Sequence, residues 1–213
     1  MKAYVITIMT LPQSVEIADR CIDSGKKFGV DIEKFPATTP KDDVYKIVSS
    51  EQINISGFDE RFSRKENAIA CFLSHYRLWK KCVEANESIF ILEHDAVVTS
   101  KIDMNVSFKG VLSLGKPSYG KFTTPRNGIG PLTSKDYLPG AHAYMINPMA
   151  AKHLINRSKI KAIPTDVFID RRQFSWIEEL YPWPVEVQDS FSTVQKVAGC
   201  IAKHNYKEGF EIL

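Results

Sequence analysis

The sequence SIFILEHD at residues 88–95 is a continuous apolar run that ends in two acids and a histidine. A run of this kind is typical of a central parallel strand that is buried on both faces. Ligands of open α/β sheets bind outside the carboxyl ends of the strands. The stretch therefore predicts an α/β fold with a binding site around Glu93 and Asp95.

A long amphipathic helix is predicted immediately before this strand, from about Arg64 to Asn86. Ser63 and Glu66 match the S-x-x-E capping box that often begins a helix. Apolar side chains then recur at the spacing of one helix face. They are Ile69, Phe72, Leu73, Tyr76, Trp79 and Val83.

The N-terminal segment predicts a strand at 3–8, a helix at 15–28 and a second strand at 31–35. This β-α-β order is the opening of a parallel sheet with crossover helices. The chain has 213 residues and no internal repeat. We therefore expect a single domain over residues 1–213, built on one central, mostly parallel sheet.

The rest of the chain predicts more loop than regular structure. Residues 41–64 are expected to be loop with one short helix, and residues 100–137 to be loops with one short helix or strand. Strands are predicted at 140–146 and 185–187. A helix is predicted at 147–157, with asparagine as its cap and proline at its first position.

The composition is that of an ordinary globular domain, with 44% hydrophobic and 25% charged residues. The formal net charge is +3 and the sequence pI is about 8.6. This slight excess of basic residues does not by itself indicate nucleic-acid binding. It fits an acidic ligand such as a nucleotide diphosphate, and a solvated surface with a few extra lysines also explains it.

No stretch reaches the roughly 18 apolar residues that a membrane-spanning helix needs. The apolar run at 3–8 is too short for a signal peptide, and no cleavage site follows it. We therefore expect a cytoplasmic protein whose cysteines are reduced thiols. The four cysteines are Cys21, Cys71, Cys82 and Cys200.

Glu93 and Asp95 are two residues apart, so both carboxylates can approach one cation where the strand bends into a turn. Mg²⁺ and Mn²⁺ prefer oxygen ligands and keep part of their shell for substrate phosphates. Solvated acids at a strand end explain the same spacing equally well. His94 lies between them, and strand alternation points it away from both.

Several segments occur in an order that is more specific than any one of them. They are CFLSHYRLW at 71–79, ILEHDA at 91–96, GAHAYMINP at 140–148, PTD at 164–166 and YP at 181–182. Across about residues 64–195 they resemble glycosyltransferase family 25, which includes bacterial lipopolysaccharide glycosyltransferases and collagen galactosyltransferases. Two departures stand out: His94 replaces the central acid of the family's E-D-D sequence, and Ile6-Thr7-Ile8 matches its I-N-L segment only loosely.

The resemblance implies a Rossmann-like fold of type A and a nucleotide-diphospho-sugar donor, typically a UDP-hexose. It implies Mn²⁺ or Mg²⁺ as the cofactor, with Asp95 as the principal metal ligand and a catalytic residue. Glu93 would contact the ribose or complete the metal shell. Thr7 and Ile8 would lie near the nucleotide.

Four further residues are candidates for the site. Ser74 and His75 on the long helix would reach the diphosphate or position the acidic strand end, although a buried polar pair is an equal alternative. Asp166 is the candidate general base, because an inverting transfer needs a carboxylate that accepts the acceptor's proton. A role as a helix cap is its alternative. His142 would complete the metal shell or touch the sugar, and a core histidine is its alternative.

The sequence thus predicts a metal-dependent hexosyltransferase that acts on a saccharide hydroxyl of lipopolysaccharide or glycan type. A short, mildly basic chain also suits a phage-type enzyme that glycosylates a modified DNA base. A third hypothesis is a degenerate copy that binds nucleotide-sugar without turnover, since His94 replaces an acid. The sequence leaves the sugar, the linkage and the oligomeric state open.

Overall fold

The computed structural model describes residues 1–61, 63–138, 141–188, 191–195 and 211–213, so the predictions made for Gly140 and Cys200 lie outside it. Its strands are β1 (Lys2–Thr7), β2 (Ile32–Pro36), β3 (Ile89–Glu93), β4 (Ala96–Val98), β5 (Val111–Ser113), β6 (Gly128–Pro131), β7 (Ala143–Ile146), β8 (Ile177–Tyr181), β9 (Val185–Val187), β10 (Phe191–Ser192) and β11 (Glu211–Ile212). Its helices are α1 (Pro12–Lys27), α2 (Val44–Ser50), α3 (Lys65–Ala85), α4 (Pro148–Ile160) and α5 (Thr165–Phe168), with a 3-10 helix at Pro40–Asp42.

Seven strands form one sheet in the order β2-β1-β3-β7-β5-β8-β6. β2, β1 and β3 pair in parallel, and so do β5 and β8. β7 and β6 run antiparallel to their neighbours. Within this seven-stranded sheet, all strands except β7 and β6 therefore run in the same direction. This confirms the predicted α/β class and the mostly parallel sheet.

The central strand β3 is buried on both faces, as its apolar run predicts. Ile89 and Ile91 pack into the core under α3 and α4, and Phe90 and Leu92 pack into the core under α1. Trp79 of α3 is fully buried in the first of these cores. Truncating such a side chain to alanine typically costs about 3–5 kcal/mol of stability.

The predicted capping box at the start of α3 is wrong. The helix begins at Lys65, and its N-cap is Arg64, with no side-chain hydrogen bond from the cap. Ser63 lies one position too early to cap the first turn. Instead, the backbone N–H of Arg64 donates to the carbonyl of Val194 at 2.8 Å, so a long-range contact fixes where this helix begins.

Residues 100–137 contain two strands, β5 and β6, where the sequence predicts one short element. The strand β8 is not predicted at all, because Glu178 and Glu179 interrupt its apolar pattern. Both glutamates are nevertheless buried, and their carboxylates accept backbone N–H groups. These hydrogen bonds explain how an acidic sequence can occupy a position inside the sheet.

Several helix boundaries differ from the prediction because of proline and its neighbours. α1 begins at Pro12, three residues early, since proline suits the first helical position. Gly29 ends it with a φ of 78°. α4 is capped by Asn147 as predicted but continues to Ile160. Pro36 closes β2, an edge strand, where a missing N–H is tolerated.

None of the described helices is both long enough and apolar enough to cross a membrane. Cys21, Cys71 and Cys82 are free thiols, as predicted for these three residues.

Candidate active site

The carboxyl ends of β1 and β3 bring their last residues to one edge of the sheet. Ile6 pairs with Glu93, so Thr7 and Glu93 end adjacent strands. On the other side of β3, the backbone N–H of Glu93 donates to the carbonyl of His142 at 2.9 Å. Opposite residues of an antiparallel pair present their side chains on the same face. Glu93 and His142 therefore share one face at this edge.

Helix α3 delivers His75 to this carboxylate. The His75 ring is fully buried, with Nε2 3.1 Å from Glu93 Oε1 and Nδ1 2.9 Å from the Tyr144 hydroxyl. The indole N–H of Trp79 donates to the same hydroxyl at 2.9 Å. Side chains from α3, β7 and β3 thus form one hydrogen-bonded row that ends at Glu93.

The direction of the protons along this row follows from its donors. Trp79 can only donate, so the Tyr144 oxygen accepts from it and directs its own proton to His75 Nδ1. His75 then carries its proton on Nε2 and donates it to Glu93. Burial alone would raise the pKa of Glu93, but the hydrogen bond from His75 and the neighbouring histidines bring it below its ordinary value. The row therefore orients Glu93 as a carboxylate.

Cys71 lies one helical turn before His75, with its thiol 4.0 Å from Glu93 Oε1. The ligand atoms of Cys71, His75 and Glu93 lie within 4.8 Å of one another. Burial raises the pKa of the Cys71 thiol well above its ordinary value, and nearby carboxylates add to that shift. Metals bind the thiolate, and His75 already uses its proton on Glu93. This group therefore positions a carboxylate rather than forming a metal centre.

His142 packs over a glycine at the same end of the sheet. Its side chain is 1% exposed, and a Cβ added to Gly115 would lie 2.2 Å from Nε2. Only glycine at 115 leaves room for the imidazole there. Nε2 has no hydrogen-bond partner among the described residues. Burial lowers the pKa of His142 to about 4, against the influence of Glu93, so the ring is neutral at pH 7.

His94 is tied to the loop after β1. Its Nδ1 lies 2.7 Å from Ser14 Oγ, and that oxygen accepts the backbone N–H of Ile8 at 2.9 Å. The ring also packs against Phe191, with 5.3 Å between the ring centres. His94 therefore fixes the turn between β3 and β4 against the β1–α1 loop, where an acid would lack this packing.

Asp95 follows in the same turn. Its carbonyl accepts the backbone N–H of Gln188 at 3.0 Å, which links the turn to the end of β9. Its carboxylate contributes to the raised pKa of the Cys71 thiol, and so do Glu93 and Asp166. The Asp95 carboxylate also raises the pKa of the Cys21 thiol on α1, so its influence is not confined to the neighbourhood of Cys71.

Asp166 lies in the first turn of α5, beside two residues from distant loops. The Tyr119 hydroxyl donates to Asp166 Oδ2 at 2.5 Å. Lys135 Nζ donates to the Tyr119 carbonyl at 2.6 Å and lies 4.3 Å from the centre of its ring. Burial raises the pKa of Asp166, and the Tyr119 hydrogen bond opposes that shift. A buried acid with a raised pKa suits a proton acceptor.

The remaining residues that the sequence singles out make backbone contacts. Thr7 is fully buried, and its hydroxyl donates to a carbonyl of its own strand. The Ser74 hydroxyl accepts the N–H of Thr38 at 2.9 Å and donates to its own helix. Ile8 gives its N–H to Ser14. Contacts of Thr7, Ile8 and Ser74 with a nucleotide stay predictions.

Residues 3–122 match the sequence model of glycosyltransferase family 25 (LPS biosynthesis protein), which is more than half of the chain. The chain belongs to glycosyltransferase family 25. The matched range contains His75, Glu93 and Asp95, and it ends before His142 and Asp166. The match therefore covers the strand-end carboxylates, and the other two residues lie outside the matched range.

No curated protein matches this family 25 glycosyltransferase. Among solved structures, the CTP:phosphocholine cytidylyltransferase of Streptococcus pneumoniae is similar over 86% of this chain and 91% of that chain. The identity is 11% and the TM-score is 0.40. A likeness at this level carries no argument, so the fold assignment rests on the sheet itself.

Three residues of this candidate site are absent from the sequence predictions: Tyr119, Lys135 and Tyr144. Tyr119 and Lys135 come from non-periodic loops, and the chain gives no signal that they approach Asp166, 47 residues from Tyr119. Tyr144 lies in one of the segments that carry the family resemblance. Its contact with Trp79 joins residues 65 apart in the sequence, and no local pattern indicates it.

The donor atoms at this edge of the sheet are of the types that bind divalent cations, but the group of possible ligands whose atoms lie within 4.8 Å of one another among the described residues contains Glu93 and neither Asp95 nor His142. Glu93 and Asp95 supply carboxylate oxygens, which suit Mg²⁺ and Mn²⁺. His75 engages only Oε1 of Glu93. His142 is neutral at pH 7 and has a buried nitrogen without a protein partner, a donor that Mn²⁺ accepts more readily than Mg²⁺.

Proposed function

We propose that this protein transfers a hexose from a UDP-sugar to a hydroxyl of a saccharide acceptor of lipopolysaccharide or glycan type. Family membership supports glycosyl transfer. The observation that carries the proposal further is the position of Glu93, a carboxylate held by His75 at the end of the central strand. Strand ends of open α/β sheets are where such ligands bind.

In this proposal Glu93, Asp95 and His142 hold Mn²⁺ or Mg²⁺, with Asp95 as the principal ligand. The cation would neutralise charge on the departing nucleoside diphosphate. Glu93 offers its second oxygen to the cation or to the ribose. Thr7 and Ile8, at the end of β1, lie on the nucleotide side in this proposal.

Asp166 is the proposed general base. It accepts the proton of the acceptor hydroxyl while that oxygen bonds to the anomeric carbon and the bond to the diphosphate breaks. The Tyr119 hydroxyl orients Oδ2 of Asp166, and the backbone N–H groups of Asp166 and Val167 also donate to this carboxylate. The Glu93 carboxylate is one of the smaller causes that raise the pKa of Asp166, after burial.

Thermal-shift binding to a panel of nucleotide-sugars, with and without Mn²⁺, tests the donor proposal. A ligand that binds the native state raises Tm by mass action. We expect one UDP-hexose to raise Tm in the presence of Mn²⁺ and to do so much less without it. An equal shift without metal contradicts the role of the cation, and no shift with any nucleotide-sugar contradicts the donor.

The alternative acceptor, duplex DNA, is tested in a separate binding measurement. A DNA-modifying enzyme would bind duplex with a steep salt dependence, because its cations replace counterions on phosphates. We expect no such binding at low salt. Salt-dependent binding together with donor binding would reassign the acceptor to DNA.

A further inference from the structure

A polar groove with a volume of about 450 Å³ opens on the side of the protein that carries Tyr119 and Lys135. Three cationic side chains line it, Lys121, Lys135 and Arg171, against the single carboxylate of Asp136. Arg171 is already paired with Asp136 at 2.7 Å. The exposed Lys121 and the half-buried Lys135 therefore leave the groove positively charged.

Two side chains, Lys135 and Tyr119, connect the groove to the candidate base Asp166. Lys135 lines the groove and lies against the ring of Tyr119, whose hydroxyl donates to Asp166. Asp166 does not line the groove itself, so an acceptor bound there would have to extend past these two side chains to place its hydroxyl at Asp166. Grooves of this volume suit a ligand of one or two sugar rings.

Two features of the lining suit a sugar. Phe122 is 41% exposed, and its ring lies nearly perpendicular to that of Trp183 with 5.6 Å between the ring centres. An exposed, fixed ring offers an apolar face to the C–H groups of a sugar ring. Ser134 also lines the groove, is 4% exposed, and its Oγ has no partner in the described residues. Buried hydroxyls are normally hydrogen-bonded, so a ligand hydroxyl would complete this one.

We propose that this groove is the acceptor subsite and that the acceptor is an acidic saccharide, with a phosphate or a carboxylate that Lys121 and Lys135 bind. This proposal rests on the proposed transfer reaction and adds the class of its acceptor. The phosphate and the carboxylate share the same recognition chemistry, because both are anions that lysine ammonium groups attract.

Direct binding without donor tests the groove separately from the reaction. The probes are glucose 6-phosphate, glucuronic acid, methyl glucoside and inorganic phosphate, measured by calorimetry or ligand-observed NMR at low salt. We expect at least one acidic sugar to bind about tenfold more tightly than methyl glucoside, with an affinity that falls as salt is added. If glucose 6-phosphate binds more tightly than glucuronic acid, the anionic group of the acceptor is a phosphate, and the reverse order identifies a carboxylate.

Lys121→Glu is the informative variant, because its exposed side chain has no hydrogen bond or ion pair with any residue that the structure describes. It should weaken binding of the acidic sugar by about fivefold or more. Lys101→Glu makes the same charge change at an exposed position outside the groove and should have no effect. Equal weakening by both variants, or none by Lys121→Glu, overturns the subsite.

Two other outcomes also overturn the proposal. Methyl glucoside binding as tightly as the acidic sugars excludes an acidic acceptor, and inorganic phosphate binding as tightly as glucose 6-phosphate excludes recognition of the sugar. Failure of UDP-sugars to bind the wild-type protein, with groove binding intact, contradicts the proposed function and leaves the groove assigned. Donor binding without groove binding contradicts only the subsite.

Discussion

His75 Nε2 lies 3.1 Å from Glu93 Oε1, and this contact joins helix α3 to the last residue of strand β3. Helix α3 therefore has two roles: its inner face packs on the core, and it carries the side chain that orients the Glu93 carboxylate. Glu93 is 28% exposed and His75 is fully buried, so the hydrogen bond is protected from water on the histidine side. The proposed donor site depends on this contact.

Replacing His75 by alanine should damage both stability and activity. The Glu93 carboxylate and the Tyr144 hydroxyl would each lose a partner, at a cost of about 1–3 kcal/mol for a buried polar group. Misorientation of Glu93 should lower the affinity for metal or donor by about 10–100-fold. The measurements are chemical unfolding and donor titration. His153→Ala, on the exposed face of α4, is the control, and equal effects in both variants would contradict the role of His75.

Tyr144→Phe tests the proton assignment along the row. The ring keeps its packing, but Trp79 loses its acceptor and His75 loses the donor that fixes its tautomer. We expect about 1–2 kcal/mol of destabilisation and weaker donor binding, with a smaller effect than in His75→Ala. The measurement is donor titration alongside NMR of the His75 ring nitrogens. An unchanged tautomer in this variant would show that Tyr144 does not set it.

Tyr119→Phe should move the acid limb of the pH–rate profile to higher pH. Burial raises the pKa of Asp166 and the Tyr119 hydrogen bond lowers it, so removing that bond raises the pKa further. A general base works only when ionised, so more alkaline conditions are then needed. The rate should recover above the new limb. Tyr45→Phe on α2 is the control, and a uniform loss at every pH would contradict the assignment.

The elements with one dominant local signal were predictable. The apolar run before Glu93 gives β3, the apolar stripe gives α3, and Asn147 with Pro148 gives the start of α4. In each case the interaction that decides the element lies within a few residues along the chain.

Elements decided by distant contacts were not predictable. β8 is stabilised by N–H groups from other segments that satisfy Glu178 and Glu179. The start of α3 depends on Val194, far along the chain. The candidate site follows the same division, because Glu93 and Asp95 are visible in the sequence, whereas the Tyr119–Asp166 pair exists only once two loops have folded together.

Gly115→Ala should destabilise the protein by about 1–3 kcal/mol, because its Cβ would overlap the His142 ring. The ring has to shift, and because His142 is a proposed metal ligand, metal-dependent donor binding should weaken as well. Gly130→Ala is a matched control, since a Cβ there meets nothing within 4 Å, and it should change stability by no more than about 0.5 kcal/mol. The free energy of unfolding of both variants is measured by chemical denaturation. Equal stability of Gly115→Ala and Gly130→Ala would remove His142 from the site.

The most direct test of the account is hydrolysis of the UDP-hexose identified by thermal shift, measured with Mn²⁺ and without acceptor. The wild-type protein and Asp95→Asn are compared, because the variant keeps the shape of the side chain and removes its charge. The account predicts slow release of free sugar by the wild type and its loss in Asp95→Asn, with both proteins equally folded. Turnover retained in Asp95→Asn would contradict the metal site, and no turnover by the wild type would indicate a nucleotide-sugar-binding protein without catalysis.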